Sequence, residues 1–529
     1  MTGRKRLLAS GSNGTGQLGI GHTEDVSTWT VCCFADTAAG SSDDRLCKDL
    51  PGKVLTIASG ASHAILLLEE SAEQGAPTAA QSEPVSIWTT GSNEFGQLGT
   101  SYAVDGAKPA HVAWKRLALD PYLKSVGLEL SCRNRYIPKD IACSWTTTFI
   151  CFAQTEQLED GDWQRQSDVI ISFGTNDFGE LGAGVVQGGE SSSGRSKNSV
   201  HLVKFSKQDV DKGIISVRKM KASHRNIACI VNLLPKGGLS GSGESKVFGW
   251  GAGRHGQLDP KTGITANGRT SSVQVTDGPL RSPGSARAVA TESIGKGTSR
   301  RGLGGVKFKK SEFPSSLPAP VSVDARSVLK LDPGIKICFD DLAVGAGHII
   351  LRVSIGEDPS SNVVVGFGNN AKSQLSFVPL KSFNLGGIAC TWNGTFVTVL
   401  DPAPQIYTTG ANTHGQLGYE DSASCTENGS QTASAARKEA RVVDTEWNAE
   451  NLDIVCGSEH VIVLAHQSAT RTKAWVWGWN EHGNLGLGDV QDRWTPTGIS
   501  LDPNLDIRGA WAGCGTSWIA VEEVVDPAR

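Results

Sequence analysis

The sequence predicts an all-β chain, a seven-bladed β-propeller. Three observations carry this: a glycine turn that recurs seven times, a second turn that follows each first one, and a composition of 63 Gly against 2 Met. Many short strands joined by tight turns need that glycine, whereas helices do not.

The first turn has the form G-x-N-x-x-G-Q-L-G. Three copies are complete: Gly11 to Gly19, with Asn13, Gly16 and Leu18; Gly91 to Gly99, with Asn93, Gly96 and Leu98; and Gly410 to Gly418, with Asn412 and Leu417. Four decay. Gly174 to Gly182 keeps Asn176 and Leu181 but has Glu180 for Gln, and Gly251 to Asp259 keeps Leu258 without the Asn or the last Gly. Gly368 to Ser376 keeps Leu375 and loses two Gly, and Gly478 to Gly486 keeps Asn480 and Leu485 with Asn484 for Gln. Such a turn ends a strand abruptly: glycine admits positive φ, the Asn side chain bonds nearby backbone, and the leucine returns to the core. The residues before it, as in Ser86-Ile-Trp88 or Trp475-Val-Trp477, are the β-branched and aromatic types of half-buried strands.

The second turn is a small-residue bend between apolar strands. It reads G-x-x-H at Gly60 to His63, Gly345 to His348 and Gly457 to His460, and is altered around Trp145, His224, Trp392 and Cys514. One pair of turns supplies about four strands, the size of a propeller blade, and a blade buries both faces only inside a closed ring. The predicted blades span approximately 5–70, 84–153, 167–233, 245–355, 362–401, 404–467 and 473–523, with closure between the two ends of the chain. Spacing between first glycines runs from 42 (Gly368 to Gly410) to 117 (Gly251 to Gly368), so blades share a scaffold and differ in insertions. The largest, 261–334 inside blade four, is rich in Gly, Ser, Pro and basic residues and is expected to be disordered. Shorter loops are expected over Glu69 to Glu83, Gln187 to Ser199 and Ser422 to Ala440.

A net charge of −4 gives no global attraction for nucleic acid or membrane, and the chain has no apolar run long enough for a helical span. The 12 Cys contain no C-x-x-C, which argues against zinc ligation or a disulfide framework and for a reducing cytoplasmic or nuclear setting. No catalytic, cofactor or metal-ligating set is expected: no G-x-S-x-G, H-E-x-x-H or phosphate-cradling motif occurs. Six His (His63, His255, His348, His414, His460 and His482) and Cys143, Cys390 and Cys456 sit at repeat-equivalent places. Repetition assigns them to packing and turns, because a catalytic acid or base is needed once, not once per blade.

Candidate contact residues are those that break the template with large side chains, since a propeller presents its turns to partners. They are Trp145, Arg225 and Trp392 in the second turn, and Trp479, Glu481, His482 and Trp518 in the seventh blade. Trp and Arg are common interface anchors. The competing assignment is that these rings fill the channel or the gaps between blades.

With its seven G-x-N-x-x-G-Q-L-G turns and their G-x-x-H partners, the chain resembles the regulator-of-chromosome-condensation family. Within it, Gly11 to Asp25, Ala142 to Thr148, Trp477 to Gly483 and Gly513 to Trp518 resemble the fungal alpha-tubulin suppressors. That resemblance implies a non-catalytic regulatory protein, monomeric by itself. Its partner would be a small CSL-type zinc protein that serves diphthamide synthesis and, through the Elongator complex, wobble-uridine modification of tRNA. Two alternatives stand beside it: nucleotide exchange on a Ran-type small GTPase, and a chromatin or ubiquitin-pathway adaptor using the basic insertion.

Overall fold

A computed structural model describes residues 3–35, 46–70, 85–99, 110–159, 161–184, 200–236, 243–258, 316–323, 329, 331–332, 334–356, 358, 361–376, 384–420, 440–468 and 471–524. They form seven sheets set round an axis, one blade each, antiparallel except for the short parallel pairing of Phe34 with Trp114 at the edge of blade one. Blade one holds Gly52–Ser59, His63–Glu70, Val85–Ser92 and Ala110–Arg116, and blade two Asn134–Cys143, Thr147–Gln157, Val169–Gly174 and His201–Leu202. Blade three is Ile214–Ser223, Asn226–Leu234, Glu244–Ala252 and Ser316–Ser322. Blade four has three strands among the described residues, Ile337–Val344, His348–Ile355 and Asn362–Gly368. Blade five is Leu385–Cys390, Gly394–Val399, Gln405–Gly410 and Arg441–Val442; blade six is Asn451–Cys456, His460–Ser468, Arg471–Gly478 and Arg493–Gly498.

Blade seven joins the two ends of the chain. Leu505–Ala512 and Thr516–Glu523 pair with Lys5–Gly11 and Val26–Val31, in continuous register from Lys5↔Glu522 to Gly11↔Thr516. The sheets are therefore out of phase with the units read from sequence. A unit such as 5–70 supplies two strands to blade seven and its remaining strands to the sheet of blade one, because each glycine turn lies inside a sheet and not between sheets. The span 261–334 also needs correction at its C-terminal end: Ser316–Ser322 is the outermost strand of blade three, from Phe248↔Ser322 to Ala252↔Ser316. Residues 261–315 of that span lie outside the described residues, as does most of the three shorter loops; Glu69 and Glu70, assigned to the first, end a strand.

The first strand of each blade lines the axis, and the second is almost wholly buried, as in Ala64 to Leu68 and Val461 to Ala465, each at most 3 % exposed. Apolar clusters lie between neighbouring blades, such as Ala142, Phe149 and Ile170 against Val217, Met220 and Ile227. The core is thus a ring of interfaces, which explains why no single blade buries both faces alone. Both motif turns emerge where the innermost strands end, on what we term the turn face.

Candidate functional site

The glycine turns are self-bonded units. The motif asparagine accepts the leucine N–H five residues on, at 3.0 Å for Asn13 and Leu18, 2.9 Å for Asn93 and Leu98, and 2.9 Å for Asn480 and Leu485. The glutamine accepts the N–H two residues back, as Gln97 does from Phe95 at 2.8 Å, and Glu180 keeps that role toward Phe178 at 2.6 Å. Asn484 is too short for it and instead donates to the Trp479 carbonyl at 2.6 Å. The last glycine leaves room for an indole: a Cβ on Gly19 would lie 2.5 Å from Trp114 Nε1.

The G-x-x-H histidines are staples between blades. The Nε2 of His63 bonds Thr148 Oγ1 of the next blade at 2.9 Å, that of His348 bonds Thr395 at 3.1 Å, and that of His460 bonds Ser517 at 3.0 Å. Each hydroxyl donates onward to a motif carbonyl, of Gln97, Gln374 and Asn484 respectively. That direction requires the imidazole Nε2 to donate. Burial lowers all three, His63 to about 3 and the other two to about 4, so they are neutral.

Template-breaking residues gather at two places on the turn face. At the axis, Trp145 and Trp392, from blades two and five, lie 5.6 Å apart by ring centroids, with His224 of blade three 5.1 and 5.9 Å from them. All three rings are half-buried and close that end of the channel above a cavity of about 100 Å³. Turn-to-turn backbone bonds hold them, Trp145 N–H to the His224 carbonyl at 2.7 Å and Trp392 N–H to the Ser458 carbonyl at 2.8 Å. The three rings therefore pack against one another at the axis. Arg225, beside His224, is tied down by Asp177 at 3.0 Å and Glu180 at 3.6 Å and lies over the Phe178 ring.

The second group lies over the seam of blades five, six and seven. Half-buried Trp479 meets His414 and His482 edge-on at 6.5 and 5.3 Å. His414 Nδ1 bonds Asp492 at 2.9 Å and His482 Nδ1 bonds Asp25 at 2.7 Å. Those two aspartates also accept the N–H of the motif asparagines, Asn480 at 2.8 Å and Asn13 at 2.7 Å. Glu481 is exposed beside them. Trp518 does not belong here. It is fully buried against Trp114, 6.4 Å away, because its place in Thr516–Glu523 points it into the gap between blades seven and one.

Sequence reasoning missed His224, Asp25 and Asp492. The aspartates carried a signal, each standing 12 residues after a motif asparagine. For His224 the signal was a turn of two residues, 224–225, where blade one uses three, and its φ of +38° is a strained value for a histidine. Cys143, Cys390 and Cys456 all line the cavity beneath the rings, with thiols raised by burial, so they are inert as nucleophiles. Among the described residues no cluster could hold a metal ion, and no helix is long and apolar enough to cross a membrane.

Comparison with known proteins agrees with the repeat reading. Residues 473–519 match the family described as Regulator of chromosome condensation (RCC1) repeat. The mouse (Mus musculus) secretion-regulating guanine nucleotide exchange factor is 29% identical over 171 residues, 28% of this chain and 34% of the mouse protein, so that match spans about a third of its length. The bovine (Bos taurus) protein of the same name is 22% identical over 96% of this chain and 81% of its own. Among solved structures, human WBSCR16 superposes with a TM-score of 0.56 at 14% identity, over 98% of this chain and all of that one. Prp20p from Saccharomyces cerevisiae, reported with its binding properties to Gsp1p and histones, gives 0.57 at 14% identity over 99% and 93%. The chain is an all-β, seven-bladed propeller with the fold of these two structures, and it carries a regulator-of-chromosome-condensation repeat at 473–519.

Proposed function

We propose that the ring is a protein-docking scaffold that binds through its turn face and performs no covalent chemistry. The observation that carries this is the convergence of Trp479, Glu481 and His482 on one seam of that face, next to the half-buried floor of Trp145 and Trp392 and the fixed guanidinium of Arg225. Aromatic and guanidinium groups held in place at low entropic cost make good anchors. The favoured partner is the small CSL-type zinc protein of the alpha-tubulin-suppressor resemblance, which puts the chain in the cytoplasm and nucleus as a regulator of diphthamide synthesis and Elongator-dependent tRNA modification.

A second reading, exchange on a small GTPase, is favoured by the names of the mouse and bovine relatives and by the Gsp1p binding reported for Prp20p. One experiment separates them. The tagged chain is used to capture partners, with Trp479→Ala and the pair Trp145→Ala, Trp392→Ala beside it, and is assayed for nucleotide release from a Ran-type GTPase. Capture of the zinc protein, weakened roughly tenfold or more by Trp479→Ala with the fold intact, supports the first reading. Release stimulated at substoichiometric amounts supports the second. Capture unchanged in every variant removes the turn face from the interface.

A further inference from the structure

Blade two outreaches the ring on the side away from the turn face. Its second strand is paired with Val169–Gly174 only as far as Phe152, yet it runs on to Gln157 beside the stretch from Asn134 to Ile137, and a fifth strand, Trp163–Arg165, joins its other edge there. Three strands thus project past the ring. Residues opposite one another in register share a face. One face of the projection holds Tyr136, which is buried with Leu119 and Leu123. The other continues the side on which Phe149 and Cys151 pack against Val217 and Ile227 of blade three. Among the described residues this second face is bare: Arg135, Ile137, Trp163 and Arg165 all stand exposed on it, the isoleucine and the indole at 37 % each.

The bare face is basic. Lys139 and Arg165 share one carboxylate, that of Asp168, at 2.6 and 3.1 Å; its side chain is fully buried and also accepts the Val217 N–H at 2.7 Å. Arg135 has no carboxylate partner among the described residues, and its guanidinium lies over the Trp163 ring, 3.9 Å from the centroid. Arg133, whose carbonyl accepts the Gln157 N–H at 2.7 Å, is exposed at the end of the same strand pair. The acids of this segment lie elsewhere. Glu129 and Glu156 act on Tyr136 and so stand by the covered face, while Glu159 and Asp162 belong to the turn between the second and fifth strands. Asp140, deeper toward the axis, faces Lys221.

We propose that this bare sheet face is a second docking surface, which takes an extended acidic segment of a partner protein. Along an extended chain alternate side chains recur about every 7 Å, the repeat that also separates Arg135 from Ile137. Carboxylates of the segment therefore meet Arg133, Arg135 and Arg165 while its apolar side chains cover Ile137 and Trp163. The indole holds the Arg135 guanidinium in place, which leaves a planar N–H fork set for a carboxylate at little cost in entropy. A nucleic-acid base gains less here, because it must displace that guanidinium to stack on Trp163. The surface lies across the ring from Trp145 and Trp479, so it stands independently of the turn face and both can be occupied at once.

The test titrates the full chain by fluorescence anisotropy with three labelled probes: a decapeptide alternating Glu and Thr, its neutral analogue with Gln for Glu, and a single-stranded decathymidylate. The variants are the pair Arg133→Ala, Arg135→Ala and, as a control that removes equal charge, the pair Arg254→Ala, Lys372→Ala on the turn face. All four side chains are exposed, and circular dichroism checks that both variants keep the fold. Saturable binding of the acidic peptide, about tenfold or more tighter than the neutral one, weakened about fivefold or more by the first pair and kept by the control pair, is the expected result. Equal affinity for the two peptides, tighter binding of decathymidylate, equal loss in both pairs, unchanged binding in the first pair, or no saturable binding overturns the proposal.

Discussion

Three histidines show how a residue at a repeated position becomes a pH-sensitive part of the frame. His63, His348 and His460 are neutral when folded because burial lowers them to about 3, 4 and 4, while an unfolded chain holds them near about 6.5. As pH falls below that unfolded value, the unfolded state takes up protons that the folded state refuses, so stability drops. The loss continues until the folded-state values are reached. Each histidine contributes a slope of up to about 1.4 kcal/mol per pH unit in that window. Thermal unfolding followed from pH 6.5 down to about 4 should show the melting temperature falling, and His460→Gln should be less steep than the wild type. An equal slope in the variant would mean that His460 takes up its proton while folded. The staple also explains the G of G-x-x-H, since a Cβ on Gly457 would lie 2.1 Å from the His460 ring.

At the scale of the element, the glycine turn was legible in the sequence because all its bonds are local: asparagine to leucine, glutamine to the second residue back. The exception is instructive. Asn484 stands where the complete turns have Gln, leaves its own Oδ1 buried without a partner, and makes no bond to the His482 N–H. Asn484→Gln should restore the acceptor and raise stability by about 0.5–1.5 kcal/mol, read from the denaturant midpoint. The equivalent Gln257 already fits against Gly368 in the way Asn484 fits against Gly11. A loss of stability would show that this seam is packed too tightly for the longer chain. What could not be read was whatever depends on which blades meet. The pairing of Trp145 with Trp392 crosses from blade two to blade five, a contact that no local pattern encodes. Trp518 was misplaced because strand phase, and not residue type, turns it into the core. The phase of the sheets was hidden as well, since the repeat marks turns within a sheet and gives no sign of where one sheet gives way to the next.

For the whole molecule, the split blade is the fastening that makes seven units one body. The two ends of the chain lie side by side, with Glu523 N–H donating to the Arg4 carbonyl at 2.9 Å, and a run of backbone pairs from Lys5↔Glu522 to Gly11↔Thr516 closes the ring. Elsewhere among the described residues neighbouring blades meet mainly through side chains, turn contacts and short bridges such as Ile20↔Ala113 and Thr28↔Leu487, so the seven-residue ladder of this seam is the long one that joins the first and last strands. A circular permutant makes the point testable. Joining the ends by a short linker and reopening the chain at the exposed turn Asp502–Asn504 would make blade seven continuous and move the break to the gap between blades six and seven. That gap is held by apolar contacts, Ile462, Leu464 and Val476 against Ile507, Ala510 and Ile519. The permutant keeps every sheet and every buried side chain, so it should fold with the same secondary structure. It should nevertheless unfold faster than the natural order, because opening the ring then breaks side-chain packing and no longer a β-ladder. Unfolding rates in denaturant measure this directly. Equal rates would mean that the ring opens first somewhere other than its seam, and the weakest interface would then be sought at blade four, where only three strands are described.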